Sequence, residues 1–383
     1  MVKQGYRIID TDTHVGPSIE TLQEFAGPEL RARWDELLAY YQPQTEGGHF
    51  LSIEPMAYKR QMGEPSADTA ATRGGKSPLT GSVSKPRPPY EPGVNDLNAE
   101  GRLRDMDREG VDVHLIIPGT FAYAVSALDT ALAQEIYAAY HRYLDAYCAV
   151  DPARLKATVP VSAADADAAA GDIKRLADAP WAAAVTVVLP EGLPVDDPSL
   201  HPIWRALDEH DLPLLHHSFF YEPPYFPGYR DVWDNVVVAR AAAHPWGAQR
   251  LVAYLVLSGL FDQYPRLRIG FSECSAGWLP AWLIRLTGQA RYLSHALPEL
   301  ADEPIAYARR GQIYCGIELY EGEALAKSIC DILGDDVLMY QSDYPHNQAE
   351  FPYSPDVVLG WSRLGEERMR KIMCDNAERY LRM

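Results

Sequence analysis

The first side chains suited to chemistry are Asp10, Asp12 and His14, in the run Ile8-Ile9-Asp10-Thr11-Asp12-Thr13-His14. The run starts apolar and reads as a strand. Alternation along a strand puts Asp10, Asp12 and His14 on one face and Ile9, Thr11 and Thr13 on the other. Two carboxylates and an imidazole buried without partners would cost several kcal/mol, so the face needs a cation, a hydrogen-bond network or solvent. A metal site and a solvated strand end capped by aspartates both satisfy that requirement, because Asp-X-His is a short and common string.

Stepping along the chain, seven more apolar runs read as buried strands, at 111–119, 156–162, 182–190, 212–218, 268–273, 313–318 and 337–343. Segments with helical spacing lie between them, at 98–109, 126–150, 163–177, 198–210, 236–264, 278–295 and 322–333, with a terminal helix near 366–381. Short apolar strands linked by helices imply a parallel sheet covered on both faces. Eight such units are the count of an α/β (β/α)8 TIM barrel. An open doubly wound sheet is the alternative, disfavoured because no Gly-X-Gly-X-X-Gly follows a strand.

A Gly-, Pro-, Ser- and Thr-rich stretch at 40–94 distorts this rhythm. It reads as an insertion after the first strand within a single domain spanning 1–383, either a lid over the strand ends or a surface loop. Its Gly74-Gly75-Lys76-Ser77 is no phosphate loop, since position 70 is Ala70 and no strand precedes it.

In such a barrel the chemistry sits at the C-terminal ends of the strands. The first run ends in His14, the fifth in His216-His217, the sixth in Glu273, the seventh in Glu318 and the eighth in Asp343. Each alone has an ordinary role, capping a turn or filling a rim. Together, at one end of one barrel, they read as a metal site.

Composition bounds the partner. The formal charge of −18 argues against nucleic acid and anionic membrane surfaces, which favour a basic face. The five cysteines form no Cys-X-X-Cys pair and are scattered as in a reducing compartment. With no leader-like segment and no long uncharged apolar run, the expectation is a cytoplasmic enzyme acting on a small molecule.

The chain also resembles a known group. Ile9 to His14, Met106-Asp107-Arg108-Glu109-Gly110-Val111-Asp112, Leu212 to His217, Gly259-Leu260-Phe261 through Pro265-Arg266-Leu267, Gly277-Trp278-Leu279-Pro280, Ser342-Asp343-Tyr344-Pro345-His346 and Asp375-Asn376-Ala377 occur in order. They are similar to the amidohydrolase-related branch of the amidohydrolase superfamily, the metal-dependent barrels that include aminocarboxymuconate semialdehyde decarboxylase and γ-resorcylate decarboxylase. Only the 40–94 insertion falls outside the resemblance.

The resemblance implies metal ligands at Asp12, which replaces the first histidine of the usual His-X-His, and at His14, His217 and Asp343, with His216 as the fallback for His217. Glu273 stands where many members carry a sixth-strand histidine, and joins both the ligand set and the catalytic set of Asp343, Glu273 and His217. The implied cofactor is a divalent ion, Zn, Mn or Fe, with one or two ions open. Three chemistries use these residues: non-oxidative decarboxylation of an aromatic or unsaturated cyclic acid, hydrolysis of a cyclic amide, lactone or ester, and oxygenation at a carboxylate-rich two-iron site. Decarboxylation assigns Asp343 as proton donor, with burial beside Glu273 expected to raise its pKa. Members of the group are commonly dimers, so a homodimer is expected.

Substrate contacts are sought in the aromatic stretch from Phe219 to Tyr229, where Phe219 and Tyr221 would wall a cyclic substrate or pack on a second subunit. His216, Arg230 and His346 are candidate counter-ions for a carboxylate, and Trp278 completes the substrate-binding set. Gly270-Phe271-Ser272-Glu273-Cys274 is not a nucleophile elbow, because Cys274 stands where glycine is needed. Tyr137, Tyr140, Tyr143 and Tyr147 share a helical face and read as packing.

Overall fold

A computed structural model describes residues 3–17, 19–38, 41–43, 49–51, 98–118, 130–189, 193–217, 236–346 and 349–383. Eight parallel strands lie side by side in chain order: β1 (Ile9–Val15), β2 (Val113–Pro118), β3 (Leu155–Ser162), β4 (Ala182–Val188), β5 (Leu214–His217), β6 (Ile269–Ser272), β7 (Ile313–Ile317) and β8 (Leu338–Tyr340). Helices pack outside and link them, giving the (β/α)8 barrel that the strand count implies. The strands are buried on both faces, so they carry continuous apolar runs rather than alternation.

Between β1 and β8 the sheet closes by a seam in place of a regular ladder. Thr13 bridges Tyr344, the His14 amide donates to the Tyr344 carbonyl at 2.6 Å, and the Asp343 amide donates to the Asp12 carbonyl at 2.9 Å. The Thr11 hydroxyl adds a bond to the Tyr340 carbonyl at 2.9 Å. At the other end of the barrel Tyr380, from helix Asn376–Leu381, donates to the Leu214 carbonyl at 2.7 Å and packs on Tyr314. Its ring leaves no room for a Cβ at Gly270. Ile9, Val113, Leu115, Leu215, Met339, Tyr314 and Tyr380 share one apolar cluster.

Two features depart from the sequence reading. The 236–264 helix divides into Val236–Leu257 and Leu260–Gln263, because Gly259 takes a left-handed φ of 78°. Short helices at Ile19–Glu24, Pro28–Ala32 and Trp34–Leu38 follow β1, and a small hairpin pairs Tyr41–Pro43 with His49–Leu51. The rest of the 40–94 insertion lies outside the described residues. Among those described, no helix is long and apolar enough to cross a membrane.

Candidate metal centre

The alternation expected along β1 is broken by a bulge. Asp10 pairs with His114 but His14 pairs with Ile117, so β1 advances four residues while β2 advances three. Asp10 therefore faces outward instead of sharing the face of Asp12 and His14. Its Oδ1 accepts from the amides of Ser342 at 3.0 Å and Asp12 at 3.2 Å, and burial with Glu109 beside it raises its carboxyl well above the usual range.

Asp12 and His14 point inward and meet His217 from β5 and Asp343 from beyond β8. One ligand atom from each of the four lies within 4.8 Å of all the others, and all four residues are buried. The His14 Nε2 is 3.2 Å from Asp12 Oδ1, 3.1 Å from Asp343 Oδ1 and 3.2 Å from His217 Nε2. His217 Nε2 is 3.5 Å from Asp12 Oδ1.

Two imidazole nitrogens facing each other share at most one proton, and neither buried Asp12 oxygen makes a hydrogen bond among the described residues. Two nitrogens and two carboxylates converging on one point fit a divalent cation. Without one, the cluster holds itself by charge. Burial would raise the Asp12 carboxyl, but His217 and His14 outweigh it and keep it below its ordinary value. Burial would lower His14, but Asp12 and Asp343 push it up to about 10.

Asp343 departs from expectation. Burial does act to raise its carboxyl, but His346 and His14 outweigh that and hold it well below the carboxylate range. Its Oδ1 accepts from His346 Nδ1 at 2.6 Å, and the His346 ring stacks on His14 with centroids 4.3 Å apart. The His346 side chain is 44% exposed, so this pair connects the cluster to solvent. Asp343 itself takes a left-handed φ of 65°.

Glu273 stands beside the quartet, its Oε2 3.3 Å from His217 Nε2. Strand alternation from Phe271 would send it outward; its φ of 49° leaves the strand path instead. His244, in helix Val236–Leu257, donates from Nδ1 to the Glu273 carbonyl at 2.9 Å. His216 points the opposite way from His217. It lines a side cavity with Leu189, Trp204 and Arg250 behind β5, where burial, with His217 and His244, lowers it to about 3.

Trp278 opens helix Trp278–Tyr292, bonds the carbonyls of Cys274 and Ser275 at 3.0 and 2.9 Å, and packs on Phe271. Phe219, Tyr221 and Arg230 lie outside the described residues. His244 was not among the sequence candidates. The strand-end rule reached Glu318, which is buried at the end of β7, where burial and then Glu273, Asp12 and Asp343 raise its carboxyl well above the usual range. No strand-end signal marks His244, which comes from a helix.

The amidohydrolase family model matches residues 9–383. No curated protein matches the chain in sequence. Among solved structures, 5-carboxyvanillate decarboxylase LigW from Sphingomonas paucimobilis is 21% identical with a TM-score of 0.69, covering 99% of each chain. The 5-carboxyvanillate decarboxylase of Novosphingobium aromaticivorans, solved with manganese and 4-hydroxy-3-methoxy-5-nitrobenzoic acid, is 20% identical with a TM-score of 0.69, covering 100% of this chain and 97% of that one. A 2,6-dihydroxybenzoate decarboxylase from Rhizobium is 20% identical with a TM-score of 0.62, covering 98% of this chain and 99% of its own. These likenesses concern the fold, and the family match spans nearly the whole sequence: the chain belongs to the amidohydrolase family.

Proposed function

We propose that this protein is a metal-dependent, non-oxidative decarboxylase of an aromatic acid bearing a hydroxyl beside the carboxylate. The observation that carries the reading is the buried quartet of Asp12, His14, His217 and Asp343, joined to solvent through His346. Structures of similar fold, solved with manganese and aromatic acid analogues, support it. Manganese is the proposed ion, because two carboxylates with two imidazoles make a harder set than a histidine-rich zinc site.

When bound, the ion would draw a substrate carboxylate and its neighbouring oxygen to the quartet and offset charge that develops on the ring. The protein's own part is the proton. Decarboxylation breaks the bond from ring carbon to carboxylate, releases CO2 and leaves an electron pair on the ring carbon. Asp343, ionised at rest, takes a proton from His346 through the 2.6 Å bond between them and passes it to the ring carbon to form the new C–H bond. The five cysteines, all buried and unbridged, fit the proposed cytoplasmic location. A homodimer is part of the proposal and is checked by sedimentation.

The test is CO2 release from a panel of ortho-hydroxylated aromatic acids, including 5-carboxyvanillate and 2,6-dihydroxybenzoate, by manganese-loaded protein. Release from at least one acid is expected. Hydrolysis of a lactone or cyclic amide with no CO2 from any acid would overturn the assignment.

A further inference from the structure

Three of the four converging side chains, Asp12, His14 and Asp343, lie on the two sides of the β1–β8 seam. That joint lacks a regular ladder, β1 carries a bulge, and Asp343 has a left-handed backbone. The backbone of either strand alone therefore does not fix the spacing of these groups. Directly outside the seam runs helix Ala99–Glu109, capped at one end by the Asn98 side chain on the Gly101 amide and ended at the other by left-handed Gly110.

Arg102 and Asp105 of this helix, one turn apart, reach the two strand ends. Arg102 is fully buried. Its Nη2 donates to the carbonyl of His14, its Nε to the Tyr147 hydroxyl at 3.0 Å and its Nη1 to His114 Nδ1 at 3.1 Å. His114 can accept because burial, with Arg102 and Arg154, keeps its ring neutral. The same guanidinium lies 5.0 Å from the centre of the Tyr344 ring. Tyr344 follows Asp343, and its hydroxyl donates to Asp105 Oδ2 at 2.7 Å.

We infer that Arg102 and Asp105 form a clamp across the barrel seam, Arg102 holding His14 and Asp105 holding Tyr344, and that this clamp sets the spacing of the metal-binding side chains. Neither residue touches the metal or substrate; both are positioning residues. A flat fork of donors suits the role, because one guanidinium can grip a carbonyl, a hydroxyl and an imidazole while stacking on an aromatic ring, which a lysine ammonium cannot. Partners that orient metal ligands from outside typically change affinity by about 10–100-fold when removed.

The inference rests on the metal reading and is tested with the full chain by Mn2+ titration, following the free-ion EPR signal, and by the low-temperature spectrum of the bound ion. Arg102→Gln is expected to weaken Mn2+ binding by about 10–100-fold. Arg102→Lys should fall between it and the wild type. Tyr344→Phe removes only the hydroxyl bond to Asp105. It should weaken binding several-fold and change the bound-ion spectrum with little loss of melting temperature in the metal-free protein, and it decides the question if Arg102→Gln does not fold. Wild-type affinity and spectrum in both Tyr344→Phe and Arg102→Lys would overturn the clamp, even if melting temperatures fall. A wild-type protein that binds no Mn2+ would instead overturn the metal reading itself.

Discussion

Asp12→Asn keeps the shape of a side chain at the centre of the quartet and removes its charge. Asp12 Oδ1 lies 3.2 Å from His14 Nε2 and 3.5 Å from His217 Nε2, fully buried. Taking away one member of a buried, charge-compensated set costs about 3–5 kcal/mol. At about 1.4 kcal/mol per tenfold, that is roughly a hundredfold or more in metal affinity. With Mn2+ at about 1,000 times the wild-type Kd, loading adds about 4 kcal/mol to wild-type stability. The same concentration is about ten times the variant's Kd or lower, and adds about 1.4 kcal/mol or less. At about 2 °C per kcal/mol for a chain of this size, Mn2+ should raise the wild-type melting temperature by about 8 °C and the variant's by about 3 °C or less. The metal-free variant should also melt below the metal-free wild type, since two imidazoles lose a carboxylate neighbour. Differential scanning calorimetry with and without Mn2+ reads both effects. A variant that keeps the full metal-induced rise would refute the claim that these side chains are the ligands.

Other consequences follow from particular contacts. Asp343→Asn keeps the His346 neighbour but cannot relay its proton, so turnover of a decarboxylated acid should fall by about 10²–10⁴-fold, with residual metal content measured by plasma mass spectrometry. Full turnover in a metal-loaded variant would remove Asp343 as proton donor. Glu109, buried beneath the seam, is raised by desolvation from 4.5 to about 7. Its raised value means the unfolded chain gives up this proton first as pH climbs, so stability is lost between about pH 4.5 and 7, by about 3 kcal/mol in all. Urea unfolding at pH 5 and pH 8 should therefore show a smaller pH difference in Glu109→Gln than in the wild type, and an unchanged difference would contradict the assignment. At Gly316 an added Cβ would lie 1.8 Å from Gln341 Oε1, so Gly316→Ala should destabilise by about 1–3 kcal/mol in the same assay. A variant as stable as the wild type would show that the Gln341 side chain swings aside there without cost.

Much of the fold was legible because strands buried on both faces leave continuous apolar runs. The eight runs read from the sequence overlap β1 to β8, with errors of a few residues at the ends. The strand-end rule pointed to His14, His217 and Asp343 and the Asp-X-His run to Asp12, and the fold brings the four together. What stayed hidden was geometry that breaks periodicity. The bulge in β1 turns Asp10 away from its expected neighbours, and nothing in Asp-Thr-Asp-Thr-His announces it. Left-handed backbone at Glu273 and Asp343 redirects side chains at residues that are not glycine. His216 was kept as the fallback for His217, but adjacent strand residues face opposite ways, and His216 lines the cavity behind β5. The pKa of Asp343 was misjudged because burial is only one influence on it; two histidines, one from β1 and one from three residues on, reverse its direction. Tyr147, read with its helical neighbours as packing, is buried as expected and also accepts from Arg102, a contact between residues 45 positions apart that no local pattern contains.

The most direct test of the central claim is the mass spectrum of product formed in D2O by manganese-loaded protein from a ring acid it consumes, with dissolved O2 monitored in the same vessel. Non-oxidative decarboxylation through Asp343 gives one deuterium at the vacated ring carbon, one CO2 per product and no O2 uptake. A product that gains oxygen from O2 or water, or an acid that keeps its carboxyl group while a lactone or amide is opened, would contradict the account.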